Sequence, residues 1–113
     1  MINNYQFGLI IINNKKYLND VEIRWSGEIL PWIREKSHIF NISDIQGAIK
    51  ENPEMIVFGT GAYGVANITS ETLKLIEEQG IKVKVEKTSQ AVKLFNNYLK
   101  KGIKVVGLFH LTC

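Results

Sequence analysis

The sequence predicts one three-layer α/β domain spanning residues 1–113, with an N-terminal β-meander joined to a βαβαβ core around a central mixed sheet. Three observations carry this expectation. The first third alternates short apolar runs with turns rich in asparagine and glycine. The rest alternates strand-length apolar runs with amphipathic stretches, the rhythm of crossover units in a largely parallel sheet. A chain of 113 residues that is 45% hydrophobic and 22% charged also buries a real core without metal or disulfide staples.

Residues 7–12 are rich in β-branched side chains and run into Asn13-Asn14, a pair that tolerates the positive φ of a tight hairpin. Residues 15–18 return, and Asn19-Asp20 signals a second turn. Val21, Ile23 and Trp25 alternate with Glu22, Arg24 and Ser26, as in a strand with one buried face. Ser26-Gly27 turns the chain into residues 29–33, where Pro31 predicts an edge or a strand end.

Ser43 and Gln46 fit a capping box, predicting a short helix that buries Ile45, Ala48 and Ile49 and stops before Asn52-Pro53. Residues 55–58 form an apolar strand ahead of a glycine-rich loop. A helix over residues 70–79, capped by Thr69 or Ser70, ends at Gly80. Residues 81–85 form a strand. Thr88 caps a third helix with Ala91, Val92, Phe95, Tyr98 and Leu99 on one stripe, closed by Gly102. Residues 103–109 are the last strand. The runs beginning at Met55 and Ile103 are apolar throughout, as interior strands covered on both faces are. Ile81, Val83 and Val85 instead alternate with Lys82, Lys84 and Glu86, which places that strand at an edge, where lysines discourage further pairing.

Fourteen basic and eleven acidic residues give a net charge of +3, and Lys15-Lys16 and Lys100-Lys101 are the only basic doublets. A nucleic-acid surface needs a concentrated basic face, so no nucleic acid is expected as a partner. The one cysteine, Cys113, cannot form an internal disulfide, which suits a reducing compartment. The start has neither the basic head nor the apolar stretch of a secretory signal, and the two arginines do not make a transit peptide. The longest apolar runs are strand-length, so no transmembrane segment is expected. A cytoplasmic protein is the expectation.

Gly59-Thr60-Gly61-Ala62-Tyr63-Gly64 matches G-x-G-x-x-G directly after a strand, and Glu86 ends the next strand, where dinucleotide enzymes keep a ribose-binding acid. Against that reading, residues 65–69 separate the motif from its helix, so the loop amides turn a corner before any helix begins. No cofactor is expected. Two readings stay open: a sharp turn with glycine where φ must be positive, or a loop whose amides bind a small anion, a carbonyl ligand or a partner's backbone.

His110 and Cys113 resemble a nucleophile pair, but residues three apart in extended chain lie roughly 10 Å apart and face opposite sides. As metal ligands they are two of the three or four required, with His38 the only other histidine, so no metal site is expected. Ser37, His38 and Asp44 supply the residue types of a hydrolase triad without a nucleophile elbow. No residue is assigned a catalytic role. Trp25 and Trp32 are core residues or, if exposed, anchors for a partner.

Several segments together resemble one known family: Asp20-Val21-Glu22-Ile23, residues 31–38, the strand ending Phe58-Gly59-Thr60-Gly61, Gly64-Val65, and His110-Leu111-Thr112-Cys113. It is the group of small single-domain α/β proteins that includes mitochondrial complex I (NADH dehydrogenase) assembly factor three and the adipogenesis-associated domain protein. The resemblance covers almost the whole chain. It implies a three-layer α/β domain with a central mixed sheet, no established catalytic activity, and prokaryotic members that are mostly uncharacterised. Its mitochondrial branch builds a respiratory complex through protein contacts, whereas this sequence lacks a mitochondrial presequence.

Function is therefore expected in one of two classes. The first is a non-catalytic interaction protein with an unidentified protein partner, in the manner of an assembly factor for a larger respiratory complex. The alternative is a small-ligand-binding protein or enzyme with a site at the 59–64 loop, using Gly59, Thr60, Gly61, Gly64 and His110.

Overall fold

Strands buried on both faces must read apolar throughout, and the two stretches of this chain that do so lie side by side at the centre of the fold. The computed structural model describes residues 1–113. Strands β1 (Ile2–Gln6), β2 (Leu9–Ile12) and β3 (Lys15–Tyr17) form an antiparallel sheet, and β4 (Val21–Arg24) and β5 (Ile29–Pro31) pass to a second one. The short strand β6 (Ile39–Phe40), a 3-10 turn (Ile42–Ile45) and helix α1 (Gln46–Lys50) lead to β7 (Met55–Thr60). The two-residue β8 (Asn67–Ile68) pairs with β6. Helix α2 (Ser70–Glu78), β9 (Lys82–Glu86), helix α3 (Thr88–Lys100) and β10 (Val105–His110) complete the chain.

The main sheet runs β5-β4-β10-β7-β9, with β10 parallel to β7 and antiparallel to β4. It is a mixed sheet. Every residue of β7 and β10 is buried, while β9 occupies an edge with Lys82 and Lys84 exposed. Alternation along the strands splits the interior into two cores. Val57, Val105 and Phe109 meet Ala91 and Phe95 of α3 together with Ile2, Ile10 and Ile12 of the small sheet. On the other face Ile56, Phe58, Val106 and Leu108 meet Ile45, Ala48, Ile76, Phe40 and Trp32. Each large apolar side chain so buried stabilises the fold by about 1.5–3 kcal/mol. Gly107 lets the backbone of β10 pass beneath the rings of Phe109 and Phe95, which a Cβ at that position would strike.

The turns follow from local chemistry. Asn13 and Asn14 both take positive φ at the β2–β3 hairpin, and Gly80 and Gly102 do so past the ends of α2 and α3. Thr69 caps α2, its hydroxyl accepting the Thr72 N–H at 3.1 Å.

Four expectations are corrected. Residues 2–6 form a strand that their asparagines disguise, and Gly8 at φ +75° turns the chain so that the next strand starts at Leu9 rather than Phe7. The first helical turn is organised by Asn41 and Asp44, whose carboxylate accepts the Asn41 N–H at 2.7 Å; Gln46 instead donates to the Ile42 carbonyl. Strand β7 runs on to Thr60, so the first two residues of the glycine motif lie inside it. Thr88 begins α3 but does not cap it, because its hydroxyl is engaged elsewhere.

Candidate functional site

Strand register builds the site. The antiparallel pairing of β10 with β4 sets Phe109 opposite Val21, so the next pair outward is His110 and Asp20. Neighbouring cross-strand side chains lie about 5 Å apart, close enough to bond. The Asp20 carboxylate accepts His110 Nδ1 at 2.7 Å, Arg34 Nη1 at 2.6 Å and the Leu111 N–H at 2.8 Å. Arg34 reaches it from the segment after β5, with Nη2 donating to the Ser37 carbonyl at 2.8 Å. Its guanidinium lies 4.5 Å from the Trp32 ring centre and 5.1 Å from that of Phe40, a cation–π arrangement on the second core. Trp32 is held in turn by its indole N–H, which donates to the Asp44 carbonyl at 2.9 Å.

Burial pushes the Asp20 carboxyl up, but the hydrogen bonds from His110, Arg34 and Leu111 outweigh it and hold the group below its ordinary value. Asp20 is therefore ionised at neutral pH and offsets the Arg34 charge. Because an ionised carboxylate only accepts, the proton in the 2.7 Å contact sits on His110 Nδ1. Arg34 Nη2 also lies 3.1 Å from that ring nitrogen. His110 Nε2 and Arg34 Nε are the two buried side-chain nitrogens without a hydrogen-bond partner. Asp20, Arg34 and His110 line an open cleft of about 850 Å³ whose rim carries Leu18, Pro31 and Ile33. The cleft lies at the carboxyl ends of the parallel strands, where open α/β sheets hold their ligands.

The sequence-chosen residues lie beside this cluster. Gly59 is packed so tightly that a Cβ would sit 2.8 Å from Thr88 Oγ1 and 2.9 Å from Phe109. Thr60 donates its hydroxyl to the Glu86 carbonyl at 3.2 Å. Gly61, at φ +100°, donates its N–H to Thr88 Oγ1 at 2.8 Å and packs against His110 Cδ2. Gly64 lies farther out, against the stem of Lys87. Gly61 and His110 are thus brought together, while Gly64 faces another side chain. The N–H groups of Gly61, Ala62, Gly64 and Ala66 are all bonded within the chain, so a ligand at the loop competes with those bonds. Helix α2 starts only at Ser70, which leaves the loop amides off any helix axis.

Other candidates separate. Cys113 is exposed whereas His110 is buried. The His38 ring stands 5.8 Å from that of His110, edge to face, while Asp44 bonds backbone at Asn41 and Glu35 instead of His38. Trp32 is core and Trp25 half-buried. Sequence reading did not assign Asp20 and Arg34 to the site. Asp20 reads as a turn residue until the β4–β10 register sets it beside His110, and Arg34 joins them only through the fold of the segment after β5.

A family model described as "Protein of unknown function (DUF498/DUF598)" matches residues 2–110. A conserved hypothetical protein from Pyrococcus horikoshii OT3 is similar at a TM-score of 0.91 and 28% identity, over 100% of this chain and 99% of that one. An outer membrane protein from Bartonella henselae is similar at 0.84 and 22% identity, over 99% and 94% of the two chains. A Mth938-like domain from Bordetella pertussis is similar at 0.70 and 16% identity, over 97% and 84%. These likenesses agree with the three-layer architecture and with the family resemblance carried by the glycine loop and the C-terminal segment. The chain belongs to the DUF498/DUF598 family of proteins of unknown function.

Proposed function

We propose that this chain is a single-domain, non-catalytic interaction protein of the cytoplasm, acting as an assembly factor for a larger complex such as a respiratory one. One observation supports this reading above the others. Five of the nine large apolar side chains left exposed by the fold lie on the segments around the carboxyl ends of β7 and β10: Phe7, Leu18, Ile33, Tyr63 and Val65. Phe7 and Tyr63 lie ring to ring at 6.1 Å, and Leu18 and Ile33 flank the cleft. Thr112 joins the two groups, lining the cleft while its carbonyl accepts the Ala62 N–H. Apolar patches of this kind on a small domain mark contact surfaces, because leaving them wet forgoes the gain from burial.

Site-specific photo-crosslinking tests it. A crosslinker at Ile33 or Tyr63 gives one discrete adduct in native cells, whereas one at Lys100, at the opposite end of α3, gives none. Adducts of equal yield from all three positions, or none from any, overturn the reading.

A second reading is supported by the unpartnered Arg34 Nε and His110 Nε2. In it the chain binds a small ligand near His110, with Gly59, Thr60, Gly61 and Gly64 forming the loop behind that residue.

A further inference from the structure

We infer that the free edge of β9 takes a short acidic segment of a protein partner as an added strand. This concerns a different surface from the apolar patch, and its test touches none of that patch's residues, so the two readings fail separately. Strand β9 ends the sheet order, with β7 as its single neighbour. The parallel register sets Lys82 beside Met55, and the Lys82 N–H donates to the Glu54 carbonyl at 3.1 Å. In such a ladder alternate residues face the neighbour, so Lys82, Lys84 and Glu86 turn their main chain to β7. Val83 and Val85 therefore point their N–H and C=O groups outward, where an extended segment can bond them.

Side-chain chemistry selects the occupant. Lys82 and Lys84 share a face with Met55 and Val57, their partners in register, which is the face that α3 covers. Both lysines are exposed, and neither is held in an ion pair. Helix α3 carries Lys93 and Lys100 but no acidic residue, so nothing in that helix neutralises them. Val83 and the exposed Val85 lie on the opposite face. There Leu73 and Ile81 join Val83 in lining a groove along the edge. A second copy of the chain is disfavoured: matching Val83 to the copy's Val85 sets Lys84 directly against its own equivalent, and like charges so placed repel. An acidic segment gains what the copy loses. Glu77 on the α2 side of the groove and Glu86 at the strand end confine its acids to the two positions facing Lys82 and Lys84. The segment therefore alternates acidic residues over the lysines with apolar ones beside the valines.

The test titrates the isotope-labelled full chain with the capped peptide Thr-Val-Glu-Val-Glu-Val-Thr, which reads the same in either direction, and with a twin carrying lysine for glutamate. The acidic peptide is expected to bind about tenfold more tightly than its twin and to slow hydrogen exchange at the Val83 and Val85 amides severalfold. Val85→Pro removes an outward donor that the fold does not use, a change that edge strands tolerate, and weakens binding severalfold. Should that variant fail to fold, the double change Lys82→Glu and Lys84→Glu, at exposed positions, decides the matter by reversing the preference between the peptides. The inference is overturned if neither peptide alters those amides, if the twin binds as well as the acidic peptide, or if the free chain pairs through β9 as a dimer. Undiminished binding to folded Val85→Pro also overturns it, since lysine charge alone then holds the peptide.

Discussion

The Thr88 hydroxyl donates to the His110 carbonyl at 2.6 Å and accepts the Gly61 N–H at 2.8 Å. One fully buried side chain therefore fastens the start of α3 to the last residue of β10 and to the loop after β7. It holds the backbone beneath the site in one register, without touching the cleft.

Thr88→Val keeps the shape and removes the hydroxyl, leaving the Gly61 N–H buried without a partner. Such a group costs about 1–3 kcal/mol, so the variant should lose about 2 kcal/mol in urea unfolding. Thr88→Ser keeps the bonds and loses one methyl, at about 1 kcal/mol. If the serine variant proves the weaker of the two, packing rather than hydrogen bonding governs this position.

Asp20 links stability to pH. Its carboxyl titrates below the ordinary value of 3.8 in the folded chain, so the folded state binds this proton less tightly than the unfolded one. The resulting stability is present above the unfolded value and disappears as pH falls through the folded one. Asp20→Asn strands the Arg34 charge and should cost about 3 kcal/mol near pH 7, the lower end for a broken buried pair because Asp20 retains some exposure. Unfolding curves of the two proteins should converge as the pH drops through the acid range. A constant gap down to acid unfolding would show that Asp20 acts through shape alone.

How far the sequence could be read depended on the range of the interaction. Asn13-Asn14, Gly80 and the Thr69 cap are set by their own or neighbouring backbone, and they are legible without the fold. The burial of β7 and β10 and the edge position of β9 are equally legible, since the number of faces covered is written in the alternation of residue types. Strand β1 was hidden because Asn3 and Asn4 face outward, where nothing requires an apolar residue. The site was half legible. His110 and Gly61 stand out by residue type, whereas Asp20 and Arg34 join them across sequence separations of 90 and 76 residues from His110. No local pattern carries that pairing.

Tyr5 ties the small sheet to the C-terminal segment, its hydroxyl donating to the Leu111 carbonyl at 2.8 Å. Burial, then the nearby Asp20 charge, push this phenol above its ordinary value of 10.0. A raised folded value means stability that is complete below the unfolded value and lost as pH rises through the folded one. Tyr5→Phe should cost about 1 kcal/mol at neutral pH and flatten the alkaline limb of the stability profile. Ultraviolet difference titration should show one tyrosine ionising late in the wild type and absent from the variant. A late tyrosine that persists in Tyr5→Phe would assign the shift to another residue.

Gly61 and Gly80 separate two reasons for glycine. Both have positive φ, +100° and +76° respectively. A Cβ on Gly80 meets open space, so Gly80→Ala carries backbone strain alone, about 1 kcal/mol. A Cβ on Gly61 would lie 2.6 Å from the Thr112 carbonyl oxygen and 3.0 Å from His110 Cδ2. That oxygen belongs to the backbone and already accepts the Ala62 N–H, so it has no free rotation by which to withdraw. Gly61→Ala must therefore push the C-terminal segment off the loop, costing about 3 kcal/mol when strain and the broken bond are combined. The two variants should differ in kind as well as size. Gly61→Ala should speed hydrogen exchange at Ala62 and Leu111, whereas Gly80→Ala should leave those amides protected and disturb only the end of α2. Equal losses of stability with unchanged exchange at Ala62 would mean that positive φ, and not the closeness of Thr112, is what reserves position 61 for glycine.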